Sequence, residues 1–469
     1  MKELLKHFFI YGLGATVGKF LSLFLLPIYA SVFTPEDYGT LDFIIALSAI
    51  LGVFGMIQIE TGLQRFYYEQ PTQKEQERLI SVAFIFTLIC SLVISAIAIA
   101  FVPLISNYYF SSHFRLELLL AFLSILPNNL LVIVFVVLRF QKRSKIYLII
   151  SLTQVLLSSL SAIYAVKFLG YGIFGVLLTT TASSYLILIL SLFILRSTVS
   201  FHFDYCKLKQ MLSYAAPQFP ARLGSISNVY INRFVMISML SVAAIGLYSV
   251  SLRIASGMQL IYTAFQLAWY PFLYELIRKE NHKIELVRIY KIVLVVLSYI
   301  IITSALFSKE VVLLLTNEQY IESYKLVAIL TFYFALYMLK EIVDIGVVVT
   351  KKTKYTSYNY FVTAIVNIAL LLLLTPFFKL YGVVYALLIS NFVLFFLTLF
   401  VTLKLYPMKY PLWKSILVLV FTLFMASLPI FVELNFEYRL TFFIVLTIMI
   451  STLYYKKIRK LVIHYKYVK

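Results

Sequence analysis

Apolar stretches long enough to cross a bilayer alternate with short, polar, basic loops along almost the whole chain. A helix needs about 20 apolar residues to cross about 30 Å of hydrocarbon. Fourteen runs meet that length, at about 8–33, 39–63, 79–105, 115–138, 146–168, 172–195, 214–239, 243–273, 287–307, 325–349, 357–377, 381–404, 412–432 and 437–455. The pattern predicts an all-α integral membrane protein with about 14 transmembrane helices. The first run is longer than the apolar region of a cleaved signal and lacks a clear small-residue cleavage site, so it reads as a retained helix.

The loops set the orientation. With a cytoplasmic N-terminus, 29 of the 40 Lys and Arg residues fall in inner segments and 6 in outer ones, a strong positive-inside asymmetry. Both termini are then cytoplasmic. The longest polar stretches, around 64–78, 196–213, 274–286 and 308–324, are each under 20 residues. None can hold a soluble catalytic domain. That argues against ATP-driven pumps and most membrane glycosyltransferases and polymerases.

Composition narrows the class further. Of 469 residues, 62% are hydrophobic and 13% charged, with a mean hydropathy of +0.95. A soluble domain is about 45–50% apolar and about 25% charged. The net charge of +20 would ordinarily suggest nucleic acid. Here the basic residues sit between apolar runs, as membrane topology requires, and no nucleic-acid partner is expected. Two cysteines, Cys90 and Cys206, cannot form a disulfide framework.

A weak repeat recurs after about two hundred residues. Tyr11, Pro27 and the turn Pro35-Glu36-Asp37-Tyr38-Gly39 correspond to Tyr214, Pro217 and Ala244-Ile245-Gly246-Leu247-Tyr248. The repeat predicts two pseudo-symmetric six-helix lobes, 1–196 and 207–404, joined by a cytoplasmic linker at 197–206. Residues 405–469 add a helix pair and a basic tail. An even number of spans per lobe makes the repeats parallel, related by an axis along the membrane normal, with substrate sites near the midplane between lobes.

Nine ionisable residues fall inside the runs: Lys19, Asp42, Glu60, Arg222, Arg233, Arg253, Lys340, Glu341 and Asp344. Each costs at least a few kcal/mol against hydrocarbon, so each should face a cavity or a partner. Lys19 and Arg253 lie near mid-depth, Arg222 in the inner half of its run and Glu60 near the inner end. Asp42 and Arg233 are close enough to the outer interface to snorkel, which makes Arg233 an interfacial anchor. Lys19, Arg222 and Arg253 share helices with small and polar residues, and three such cations could line the lobe interface and receive a phosphate. The structural alternative is that cations pair with membrane acids and only fix packing, as Lys340 would with Asp344 at i and i+4. Glu60, Lys340, Glu341 and Asp344 are candidates for ion coupling or gating, with H+ or Na+ as the coupling ion.

No catalytic motif survives inspection. The stretch Gly12 to Phe20 lacks the glycine spacing and hydroxyl of a P-loop and lies in an apolar helix. The five histidines are scattered singly, so no metal constellation is expected. The chain reads as a transporter rather than an enzyme, with no cofactor and no ATP site.

Pro35-Glu36-Asp37-Tyr38-Gly39, Tyr214-Ala215-Ala216-Pro217, Ile231-Asn232-Arg233-Phe234 and Gly246-Leu247-Tyr248-Ser249 together resemble bacterial polysaccharide-unit flippases of the Wzx type, O-antigen flippases among them. That family lies in the superfamily that also holds MurJ and the MATE exporters. Asn232 departs from the pattern, since relatives often carry Asp before the Arg. The resemblance implies a V-shaped, two-lobed bundle in the bacterial cytoplasmic membrane. It would carry an undecaprenyl-diphosphate-linked oligosaccharide from the inner to the outer leaflet by alternating access, among membrane lipids and with a polysaccharide polymerase or assembly proteins as partners. Lys19 and Arg253 match in span and depth the cavity cations of MurJ-like proteins. The alternative is a cation-coupled multidrug or small-molecule exporter of MATE type, which predicts a cavity rich in acids.

Overall fold

The computed structural model describes residues 21, 23–196, 198, 203–277, 280–350, 352 and 354–449. The described residues are helices and their connections, with no strand among them. Helix is the only way a chain this apolar can satisfy its backbone in lipid without closing a barrel. Among the described residues, ten helices are long and apolar enough to cross a membrane. One of them, Lys354–Leu405, runs 52 residues and is interrupted at Lys379, whose φ of 51° and ψ of −128° fold it back on itself. It therefore carries the two expected runs at 357–377 and 381–404. Phe219–Met239 adds a further helix, with only its 229–239 part strongly apolar. Residues 23–30 and 436–449 are helical where the first and last runs are described. The arrangement is compatible with fourteen spans.

Several expected runs are broken in the middle. The second is the Pro35–Phe54 helix, a turn at 55–58 and a separate Ile59–Phe66 helix. The seventh, expected from 214, begins on the last residues of a Tyr205–Ala215 helix, passes a 3-10 turn at Ala216–Gln218 and resumes at Phe219. Pro217 and Pro220 explain that break, since proline lacks the amide hydrogen a helix interior needs. The eighth is divided at Ser256 and the tenth at Asp344.

The two halves start their second helices alike. Thr34 caps the Pro35–Phe54 helix: its Oγ1 accepts from the Asp37 amide at 3.2 Å, while Asp37 Oδ2 accepts from the Thr34 amide at 3.0 Å. Ser241 caps the Val242–Ala255 helix by accepting from the Ala244 amide at 3.2 Å. Such caps satisfy amides that the first helical turn leaves open. Each cap is followed five residues later by a glycine, Gly39 or Gly246. These two helices cross there. A Cβ on Gly39 would overlap the Val242 carbonyl oxygen, and one on Gly246 would overlap that of Pro35. Contact and countercontact are reciprocal, as a two-fold axis requires.

The same crossing is fastened by polar groups. Asp42 Oδ2 accepts from Arg233 Nε at 2.8 Å and from Ser249 Oγ at 2.7 Å. Asp42 and Ser249 are 207 residues apart, the offset that also separates the two glycines and the two caps. Asn317 Nδ2 donates to Ala30 O at 2.7 Å, and Tyr320 Oη to Phe33 O at 2.8 Å. Arg233 is only 3% exposed, and its guanidinium lies 4.9 Å from the Tyr248 ring centroid. The interfacial anchor expected at Arg233 is therefore wrong: the side chain turns into the bundle because Asp42 offers it a carboxylate across the lobes.

The C-terminal pair docks on the second half. The Leu412–Phe431 helix packs on His282–Leu315 and Tyr324–Val343. Arg439 holds Glu310 through both carboxylate oxygens, at 2.7 and 2.9 Å, and also donates to Leu306 O at 2.7 Å.

Candidate functional site

The break in the second run creates a cavity. Between Phe54 and Ile59 the chain leaves helical geometry, and Ile57 and Gln58 take positive φ values of 47° and 59°. A β-branched residue there is strained, and strain of this kind persists only where surrounding structure holds it. Two side chains do so. Asn129 Nδ2 donates to Gly52 O at 2.9 Å and to Ser91 Oγ at 2.9 Å, and Ser91 Oγ donates to Gly55 O at 3.3 Å. The carbonyls released by the interrupted helix thus keep partners, which a membrane interior demands.

Beside this turn lies a cavity of about 550 Å³, within the range of small-molecule sites. The first half supplies most of its wall, from Ile45 through Glu60, Ala121 through Val132, Gln154, Ser158 and the stretch from Val176 to Ser184; Arg222, Ile226 and Tyr230 come from the second half. Both halves therefore meet at the site. Its polarity is high for a membrane interior, with Asn128, Asn129, Gln154 and a series of hydroxyls facing it. Many of those hydroxyl protons are already committed to backbone carbonyls. Ser48 donates to Ile44 O at 3.1 Å, Ser124 to Ala121 O at 2.7 Å, Ser158 to Val155 O at 3.1 Å, Thr180 to Val176 O at 2.7 Å and Thr181 to Leu120 O at 3.1 Å.

Two charged residues line this cavity, Glu60 and Arg222. Glu60 Oε2 is buried without a hydrogen-bond partner among the described residues. Arg222 is exposed to the open space and forms no ion pair among the described residues. Of the three cations expected to meet a diphosphate, the structure places Arg222 here. Arg253 is half-buried on the Val242–Ala255 helix, 5.5 Å from the Tyr38 ring centroid, and does not line this cavity. Lys19 lies outside the described residues.

The remaining expected site residues gather elsewhere. Lys340, Glu341 and Asp344 are 4%, 7% and 8% exposed, on the most enclosed of the long helices. Lys340 Nζ lies 2.6 Å from Asp344 Oδ2 and 3.6 Å from Glu341 Oε1, and Tyr262 Oη donates to Glu341 at 3.1 Å. Asp344 Oδ1 has no hydrogen-bond partner among the described residues. The i, i+4 pairing of Lys340 with Asp344 is present, at the break between Tyr324–Val343 and Ile345–Thr350. Among the described residues no group of His, Cys, Asp and Glu could hold a metal ion.

Sequence reading did not find Asn128, Asn129, Ser91 or the 55–58 turn. The signal was there: an Asn-Asn pair inside an otherwise apolar run, and Gly52 with Gly55 in mid-span.

No curated protein matches the chain. Among solved structures it resembles the lipid II flippase MurJ in an inward closed conformation, with a TM-score of 0.75 at 16% identity over 96% of this chain and 99% of that one. A multidrug resistance MATE family transporter of the MOP superfamily in its inward-facing conformation gives a TM-score of 0.60 at 16% identity, over 86% and 95% of the two chains. A MOP superfamily transporter from Pyrococcus furiosus gives 0.50 at 16% identity, over 90% and 96%. At such identity the likeness establishes the fold: a multi-pass membrane bundle of the MurJ and MATE type. A family model described as polysaccharide biosynthesis protein matches residues 28–325, more than half of the sequence, and the chain belongs to that family.

Proposed function

We propose that the protein is a flippase that moves a polyprenyl-diphosphate-linked oligosaccharide from the inner to the outer leaflet of a bacterial cytoplasmic membrane. The observation that carries this reading is the cavity at Glu60 and Arg222, walled by both halves and lying beyond the crossing at which those halves lock together. With both termini cytoplasmic, the Gly39–Gly246 crossing faces outward, and Arg222 and Glu60 lie in the inner half. We read this as a carrier closed outside and loading from inside. Arg222 would take the diphosphate, since a guanidinium matches its paired oxygens. The sugar would occupy the polar wall and the apolar tail would stay in lipid. Lys19 and Arg253 would receive the head group later in its passage, and Lys340, Glu341 and Asp344 are the candidate coupling group. A cation exporter would need an acid-lined cavity, whereas this lining balances one carboxylate against one guanidinium.

The test is translocation in vesicles. The purified chain should move an undecaprenyl-diphosphate-linked sugar across the bilayer. Arg222→Ala should slow this by about ten- to a hundredfold, the worth of one charge-assisted contact of about 1.5–3 kcal/mol. Undiminished transport by Arg222→Ala combined with Arg253→Ala would refute the cationic route.

A further inference from the structure

We infer that the cavity recognises its sugar by the hydroxyl or ammonium donors the sugar carries, that Glu60 is the specificity-determining acceptor, and that a uronic acid in that place is excluded. This rests on the flippase reading and goes further, to the chemical class of the sugar next to the diphosphate.

Donors and acceptors are unequally distributed around this cavity. A carbonyl oxygen can only accept, so each hydroxyl bound to one has spent its proton. Five cavity hydroxyls are in that state, on Ser48, Ser124, Ser158, Thr180 and Thr181. What they turn to a ligand is lone pairs. Glu60 adds the buried, unpartnered Oε2 to the same cavity. Gln58, Asn128, Gln154 and Tyr230 in the same lining carry N–H or O–H donors of their own. The part of the site that demands a donor is therefore Glu60 with the five committed hydroxyls, and a neutral or amino sugar supplies donors to it. A sugar carboxylate brings further acceptors and a second negative charge. The one cation lining the cavity, Arg222, is engaged by the diphosphate. A like charge facing Glu60 in a partly enclosed cavity is disfavoured. A site whose buried polar groups would be left unmatched discriminates sharply against the wrong ligand.

The experiment uses the full chain in vesicles with three probes: undecaprenyl diphosphate bearing N-acetylglucosamine, glucosamine or glucuronic acid. The wild-type protein should move the first two at least about tenfold faster than the third. Glu60→Gln should narrow that ratio to about threefold or less by removing the charge while keeping the shape. Glu60→Asp, which keeps the carboxylate, should retain the preference and serves as the folding control. Equal transport of all three probes by wild type would overturn the inference and leave the flippase reading standing. So would a ratio unchanged in a well-folded Glu60→Gln. Failure of wild type to move any of the three would bring down both.

Discussion

Asp42 and Arg233 show what a charge does inside this bundle. Each alone would be expensive to bury, and their contact with each other, with Ser249 also donating to Asp42, makes the burial tolerable. Replacing Arg233 with Met should therefore destabilise the protein by about 3–5 kcal/mol, because it leaves a carboxylate stranded, whereas Asp42→Leu combined with Arg233→Met should cost much less. Thermal unfolding of the four species in detergent closes that cycle; additive losses would contradict a direct pairing. The sequence showed that these residues were charged and within the membrane, and no more. Depth along a helix can be read from spacing, but the direction a side chain takes depends on which helix lies opposite. Hence Arg233 was expected at the interface and is instead enclosed. Arg222 was expected to line a cavity from its depth and polar neighbours, and Glu60 was expected only as an ion-coupling or gating group; Arg253 rests against Tyr38, outside that cavity.

Helices were legible because their apolar runs have nearly fixed length; their interruptions were not. The second run reads as continuous, yet it stops at Phe54 and restarts at Ile59. Nothing local forbids a helix through Ile57. The break is imposed from outside, by Asn129 and Ser91 taking up the freed carbonyls of Gly52 and Gly55. Asn129→Leu should remove that support, leave Gly52 O with the Gly55 amide as its partner at 3.1 Å, and cost about 0.5–1.5 kcal/mol. It should also let the turn revert toward helix and withdraw Glu60 from the cavity. Hydrogen exchange at residues 55–58 would slow if so, and unchanged exchange with full transport would show that the turn stands without Asn129. The proline break before Phe219 was the readable kind, since Pro217 and Pro220 announce it.

A faint repeat in the sequence pointed to two parallel halves, although its offset was blurred by unequal spacing between the tyrosines and glycines. The structure fixes the offset at 207 through Asp42 and Ser249. If the halves separate at this end during each cycle, tying them there should stop it. In a protein whose Cys90 and Cys206 have been replaced, Asp42→Cys and Ser249→Cys should oxidise to a disulfide that halts translocation, and a reductant should restore it. Continued transport by the oxidised form would mean that this end never opens. The pairing of Asp42 with Ser249 has one more consequence. They occupy the same place in the two repeats, so each faces its own counterpart. A symmetric dimer of single lobes would have to put identical residues there: two carboxylates would repel, and two hydroxyls would leave the guanidinium without its anion. Joining both lobes in one polypeptide removes that restriction, so the two copies can diverge into acid and alcohol. A clasp of this kind is available only to a fused chain.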